Sequence, residues 1–188
     1  MDILLDFLQI IPQRPVKIFI FLQFLKRCII YFSLSYEPFV HEFFKLEQLI
    51  LCEASHVESE KLHEEINRNT EEFIESLGIP YRQVVICGGD LKKAHVKSYD
   101  TELWVPLENT YREIASASYY HDFQTRRFNT RYDDNGTKRY VHSLNATAIP
   151  TPRILVSLVE NYQQEDGSVV IPEALRPYMG KDKIVKKS

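Results

Sequence analysis

Residues 55–80 spell out both ends of one amphipathic helix, and a lone helix of this kind cannot bury its own apolar stripe. Ser55 with Glu58 three residues later is a capping-box pattern. Leu62, Ile66, Phe73 and Leu77 recur at helical spacing. Gly78 stands where a C-terminal cap belongs, and Pro80 prevents continuation. Glu58, Glu60, Glu64, Glu65, Glu71 and Glu72 lie largely outside the stripe and form a solvated acidic face. The stripe needs a surface to cover, and the flanking segments read as strands.

The first strand candidate is 43–52, with Phe43, Lys45, Glu47 and Leu49 on one face. Residues 82–87 are β-branched and end in a Gly-Gly-Asp turn at 88–90. That Gly-Gly is not a phosphate loop, because no Lys-Ser/Thr follows in frame. Residues 99–105 form another strand, ended by Pro106. The runs 127–132 and 138–144 flank Asp-Asp-Asn-Gly, a strong hairpin signal. A last helix starts at Thr151 with Pro152 in its first turn, and Leu155, Leu158, Val159 and Tyr162 are its expected buried stripe. Asp166-Gly167 is a turn, and residues 181–188 are a basic tail, expected to be mobile. Strands joined by hairpins with helices grouped around them give an α+β fold with a mainly antiparallel sheet.

At 188 residues the length fits one domain. The net charge of −3 provides no global field toward nucleic acid or anionic membrane, so an RNA-handling protein of this charge needs a local basic patch or a separate arm. Cys28, Cys52 and Cys87 form no CxxC pair, which excludes a disulfide-stapled scaffold and fits a reducing, cytoplasmic setting. The six histidines show no HExxH spacing, so they read as surface or partly buried residues rather than zinc ligands. The leader, residues 1–40, is rich in Phe and Ile. Its apolar runs at 18–25 and 28–34 fall short of the roughly 18 residues of a membrane span. No membrane partner is expected. Nothing in the leader's pattern fixes a strand register, and a non-native segment, detached from the fold, is the expectation for it.

Four blocks carry the sharpest signal. They are Asn-Thr-Tyr-Arg-Glu-Ile-Ala-Ser-Ala-Ser at 109–118, His-Asp-Phe-Gln-Thr-Arg-Arg at 121–127, His-Ser-Leu-Asn-Ala-Thr-Ala at 142–148 and Thr-Pro-Arg-Ile-Leu-Val-Ser-Leu-Val-Glu-Asn-Tyr at 151–162. In this order they resemble the C-terminal half of the catalytic domain of seryl-tRNA synthetases, class II aminoacyl-tRNA ligases. The resemblance runs over residues 41–184, with 185–188 as the remaining tail. It implies a partial class II catalytic domain that activates serine with ATP and Mg²⁺ and transfers it to tRNA(Ser).

By that resemblance Phe43 stacks on adenine, and Glu47 receives the serine. Glu113 holds ATP, largely through Mg²⁺, within an ATP-binding stretch that includes Ile114, Ala115 and Ser116. Asn145 and Thr147 share a strand face, with Thr147 toward the serine hydroxyl. Arg153 matches the motif 3 arginine on ATP.

The residues themselves add two demands. Strict alternation would put Glu113 and Ser116 on opposite faces, so a shared site requires a bulge between them. Arg153 in a first helical turn opposes the helix dipole, so a ligand or carboxylate is expected beside it.

The same comparison marks departures. The tRNA-gripping coiled coil, the motif 1 dimer interface, the Thr-x-Glu serine loop and the Phe-Arg-x-Glu of motif 2 do not appear, and Phe39 stands where a motif 2 arginine would fall. The family is homodimeric, yet this sequence carries no motif 1 to build that interface. A chain that is weakly active or inactive by itself is therefore expected. The alternative is a non-catalytic partner module that retains a nucleotide or serine pocket.

Overall fold

Six strands share one antiparallel sheet, and the helix bounded by Ser55 and Gly78 lies across one face of it. The computed structural model describes residues 18–22, 25–26 and 42–185. The first strands are β1 (Ile18–Leu22), β2 (Leu25–Lys26), β3 (Glu42–Phe43) and β4 (Lys45–Cys52). Helix α1 (His56–Leu77) follows, then β5 (Tyr81–Val85), β6 (Lys97–Val105) and β7 (Thr110–Tyr119). Next come α2 (Phe123–Phe128), β8 (Arg131–Asp134), β9 (Thr137–Tyr140), β10 (His142–Pro150) and α3 (Thr151–Tyr162). The chain closes through β11 (Val169–Val170), α4 (Arg176–Met179) and β12 (Lys183–Ile184). The main sheet has the order β1-β4-β10-β7-β6-β5, with every neighbouring pair antiparallel. The α+β class and the antiparallel sheet read from the sequence are both present.

Helix α1 begins and ends as its sequence dictates. The Ser55 side chain accepts from the Glu58 backbone N–H at 3.2 Å, and Gly78 caps the far end at φ 68°. A Cβ there would come within 2.7 Å of the Tyr162 hydroxyl, which donates to the Leu77 carbonyl at 2.5 Å. Glycine at 78 thus serves both the backbone conformation and the approach of α3. Leu62 and Ile66 pack with Ile50, Ala117, Tyr119, Leu144 and Ala146 from three strands. Ile74 and Leu77 join Ile79, Leu103, Ile114, Ala115 and Ile154 in a second cluster. Each such buried Leu or Ile contributes about 1.5–3 kcal/mol, so α1 is held by the sheet far more than by its own propensity.

Several expectations shift. The Asn135-Gly136 turn is a hairpin with both residues at positive φ, 51° and 84°. However, Arg127 and Phe128 belong to α2, which is closed by a left-handed Asn129, and the hairpin β8–β9 forms its own two-stranded sheet. In α3 the fully buried residues are Ile154 and Ser157; of the expected stripe Leu158 and Tyr162 pack against the core, while Leu155 is 59% exposed. The helix is rotated because the Ser157 hydroxyl and the Asn161 amide both donate to the Trp104 carbonyl, at 2.8 and 3.0 Å. Nor is α3 the last helix, since α4 follows it. Within the tail, Lys183–Ile184 pairs with Val169–Val170 instead of standing free.

The leader departs most. Ile18–Leu22 pairs with β4 in a defined register, Ile18 opposite Ile50 and Leu22 opposite Leu46. An open edge on β4 presents unpaired backbone groups, which an extended segment can satisfy whatever its side-chain pattern. The apolar run at 28–34, with Cys28, and the expectation for Phe39 lie outside the described residues. No helix among the described residues is long and apolar enough to cross a membrane.

His63 is wholly buried, not superficial. Its Nε2 contacts the Ala117 carbonyl at 2.9 Å and its ring stacks on Tyr99. Burial pushes its pKa below the ordinary histidine value, so the neutral ring is the folded form. The unfolded chain binds that proton below about pH 6.5, and the contribution of His63 to stability is complete above that pH and lost as pH falls through the folded pKa. Asp100 and Glu113, whose carboxyls are raised by burial, act in the opposite sense, so the difference between variants isolates the histidine. Thermal melts at pH 7.5 and 5.5 are expected to show a larger loss for the parent chain than for His63→Gln.

Candidate functional site

The face of the sheet turned away from α1 is polar, and two irregularities create it. Between β6 and β7, Glu102 pairs with Glu113 and Thr101 with Ala115, leaving Ile114 as an extra residue. This is the bulge that a shared site for Glu113 and Ser116 requires. Ile114 and Ala115 both turn into the core. Glu113 and Ser116, opposite Glu102 and Asp100, then emerge on the same face. Any part that Ile114 and Ala115 take in holding a nucleotide is through their backbone.

On β10 the register shifts between Thr147 and Ile149. Thr147 lies opposite Glu47, and Asn145 lies between Leu49 and Ser118. The Thr147 hydroxyl donates to Glu47 Oε1 at 2.8 Å. Lys45 pairs with the same oxygen. Glu47 Oε2 is buried and has no hydrogen-bond partner among the described residues. A buried, unpaired carboxylate oxygen is costly, and here it faces the same side as Thr147 and Asn145. Asn145 is fixed in turn, because the Tyr120 hydroxyl donates to its Oδ1 at 2.6 Å.

Arg153 is the carboxylate's neighbour that the helix-dipole argument calls for. Its guanidinium donates to the Glu113 carbonyl at 2.9 Å and lies 3.6 Å from the Glu113 carboxylate. Helix α3 is delivered there by Thr151, whose backbone N–H and hydroxyl both donate to the Phe44 carbonyl, at 3.2 and 2.9 Å. Phe43 pairs with Leu25 across β2 and β3, and a break at Phe44 separates it from the alternation of β4. Its side chain lies outside what the structure describes. Arg112, adjacent to Glu113 in sequence, pairs with Glu108.

Three carboxylates line this end of the face: Asp100, Glu102 and Glu113. Partial burial raises Glu113, with Asp100 adding to the effect and Arg153 opposing it. Asp100 is raised by burial and by Glu102, against a hydrogen bond from Ser116. Glu102 is neutralised by Arg82 at 2.5 Å. Among the described residues no three His, Cys, Asp or Glu are arranged to hold a metal by themselves. Magnesium is ordinarily held through one or two carboxylates together with substrate phosphates, and Glu113 beside Asp100 fits that partial role. Asp100 and Tyr120 escape a reading of the sequence because only the strand register places them here.

The chain matches the family described as tRNA synthetase class II core domain (G, H, P, S and T) over residues 39–162. A serine–tRNA ligase of Methanocella arvoryzae is 48% identical over 143 residues, which are 74% of this chain and 33% of that protein. One of Deinococcus radiodurans is 49% identical over 142 residues, 75% of this chain and 33% of the relative. Among solved structures, a seryl-tRNA synthetase from Pyrococcus horikoshii complexed with ATP superposes with a TM-score of 0.77 at 44% identity, covering 83% of this chain and 35% of the other. The cytoplasmic serine–tRNA ligase of Naegleria fowleri in complex with AMP gives 0.73 at 41%, covering 79% and 35%. The chain spans about a third of the length of the curated relatives it matches.

The charge arrangement around Glu113 has a direct readout. In carboxyl-selective NMR titrations, Arg153→Ala is expected to raise the Glu113 pKa and Asp100→Asn to lower it. Movement in the same direction for both variants would mean that the three groups do not share one surface.

Proposed function

The chain belongs to the class II tRNA synthetase core-domain family, and on that premise we propose that its polar sheet face is the serine and ATP half of a seryl-adenylate-forming site. The observation that carries this reading is the buried Glu47 Oε2, which has no hydrogen-bond partner among the described residues and lies beside Thr147. A serine ammonium placed there supplies the missing donor. The serine hydroxyl then meets Thr147 and the Asn145 amide. A site that hydrogen-bonds a substrate hydroxyl discriminates strongly against an analogue lacking it, since the protein group is left unpaired.

The reaction joins a serine carboxylate oxygen to the α-phosphorus of ATP, and pyrophosphate leaves with the electron pair of the broken P–O bond. The seryl group then passes to a ribose hydroxyl at the end of tRNA(Ser), releasing AMP. The protein's work in the first step is positioning and charge neutralisation. Arg153 is half-exposed and can turn from the Glu113 carbonyl toward a phosphate. Its guanidinium also suits stacking on a purine. Glu113 and Asp100 would hold Mg²⁺ together with the phosphates, and the metal would supply charge neutralisation there. Phe43 would cover adenine. A cytoplasmic setting and tRNA(Ser) as acceptor belong to the same proposal.

Two assays test it. A non-hydrolysable seryl-adenylate analogue is expected to bind the chain, and Thr147→Val to weaken it about 10- to 100-fold, the effect of losing a hydrogen bond to a charged group. Equal affinity for the serine and alanine forms of the analogue would remove serine as the substrate. In serine-dependent ATP–pyrophosphate exchange the isolated 188-residue chain is expected to turn over little, because the phosphate-binding arginine of motif 2 is not in it. Robust exchange would show that the residues described here suffice for catalysis.

A further inference from the structure

Two hydrogen bonds on the serine-side face have a fixed direction. The Thr147 hydroxyl meets a carboxylate that Lys45 also pairs with, so its single proton goes to Glu47 Oε1, at 2.8 Å. The threonine oxygen is then left with lone pairs only. The Tyr120 hydroxyl donates to Asn145 Oδ1 at 2.6 Å, from 25 residues away in sequence. Tyr120 is 8% exposed. Burial raises its phenol pKa, as does the charge of Glu47, against a hydrogen bond from Ser118. The phenol therefore keeps its proton and acts as a donor. With Oδ1 engaged in this way, Asn145 has its two amide N–H groups left to offer, and Nδ2 has no hydrogen-bond partner among the described residues.

Tyr120 is itself held in place. Its backbone N–H donates to the Ser143 carbonyl at 3.1 Å, and its own carbonyl accepts from the Phe123 N–H at 3.1 Å. His95 packs edge-on against its ring, with centroids 4.9 Å apart. Asn145 and Thr147 lie two positions apart on one strand and share a face. A group seated between them meets the amide on one side and the Thr147 oxygen on the other. A hydroxyl has one proton to give and lone pairs with which to accept. Between an N–H donor and an oxygen that can only accept, it satisfies both. With the amide turned over, the same hydroxyl would meet two acceptors with one proton, and one acceptor would stay unpaired at a cost.

We propose that Tyr120 is a positioning residue for substrate selection: it turns the Asn145 amide so that its N–H groups face the substrate, and the site reads a hydroxyl as acceptor and donor at once. The assignment rests on the reading of this face as the serine site. It gives the hydrogen bonds a single polarity. They run from Tyr120 to Asn145, and from Asn145 through the substrate hydroxyl and Thr147 to the Glu47 carboxylate. A methyl group in place of the hydroxyl leaves both the amide and the threonine oxygen unpaired. A thiol, a weak donor and a weak acceptor, serves both poorly.

Calorimetry on the whole chain with non-hydrolysable seryl- and alanyl-adenylate analogues tests it. Tyr120→Phe keeps the ring and removes only the hydroxyl. It is expected to weaken the seryl analogue about 3- to 10-fold, the effect of one neutral hydrogen bond, and to leave the alanyl analogue within about twofold. Asn145→Asp keeps an acceptor for Tyr120 but offers the substrate no donor, and it is expected to lose the preference for the seryl form. In an Asn145→Ala background, Tyr120→Phe is expected to have no further effect on either analogue. A merely structural role for Tyr120 would instead weaken both analogues in parallel and add to Asn145→Ala. That result overturns the proposal, as does a serine preference that survives Asn145→Asp. Equal binding of the two analogues by the parent chain, or binding of neither, removes the serine reading and this assignment with it. A parent preference for serine that Tyr120→Phe leaves intact removes the assignment alone.

Discussion

One extra residue in β7 sets the arrangement of the polar face. Ile114 has no partner on β6, and its insertion inverts the alternation of the strand. N-terminal to it Glu113 faces the polar side, and C-terminal to it Ser116 does as well. Ile114 and Ala115 together enter the core beside Leu103 and Ile154. Without the insertion, one of Glu113 and Ser116 would be carried to the α1 side, where an unpaired carboxylate is prohibitively expensive. The shift in β10 after Thr147 acts similarly. It keeps Thr147 opposite Glu47 while sending Ile149 to the partner of buried Leu46.

The two faces of the sheet have divided tasks. The face under α1 is mainly apolar, with Ile50, Tyr119 and Leu144 fully covered, and it makes the strands a rigid base. The other carries groups contributed by distant parts of the chain. Thr147 and Glu47 are 100 residues apart in sequence, and Thr151 reaches Phe44 across 107. Precision of a site built this way comes from sheet register and helix anchoring rather than from loops. Ser157, Asn161 and Tyr162 fix α3 by three separate contacts to backbone carbonyls, so Arg153 is held at the tip of a clamped element.

What could be read from the sequence was local or periodic. The caps of α1, its stripe through Leu62, Ile66 and Leu77, and the Asn-Gly hairpin each depend on residues a few positions apart. The need for a bulge between Glu113 and Ser116 was also readable, as a condition on their sharing a site, though nothing local said that Ile114 would be the inserted residue. The rotation of α3 was not readable, because Leu155 is as apolar as Ile154 and only the Trp104 carbonyl distinguishes them. Asp100 and Tyr120 were missed for the same reason: their positions follow from pairing between strands. The histidines around Tyr119 form another such cluster. His56, His121 and His142 converge there from separate elements, with ring centroids 5.5 and 4.9 Å apart, although their spacing along the chain is irregular.

A crystal structure of the chain bound to a seryl-adenylate analogue tests the central claim most directly. The account predicts the ligand on the face opposite α1, with its ammonium on Glu47 Oε2, its hydroxyl at Thr147, and Glu113, Ser116 and Arg153 around the nucleotide end. A ligand seated elsewhere, or a β7 in which Ser116 points toward α1, would contradict it.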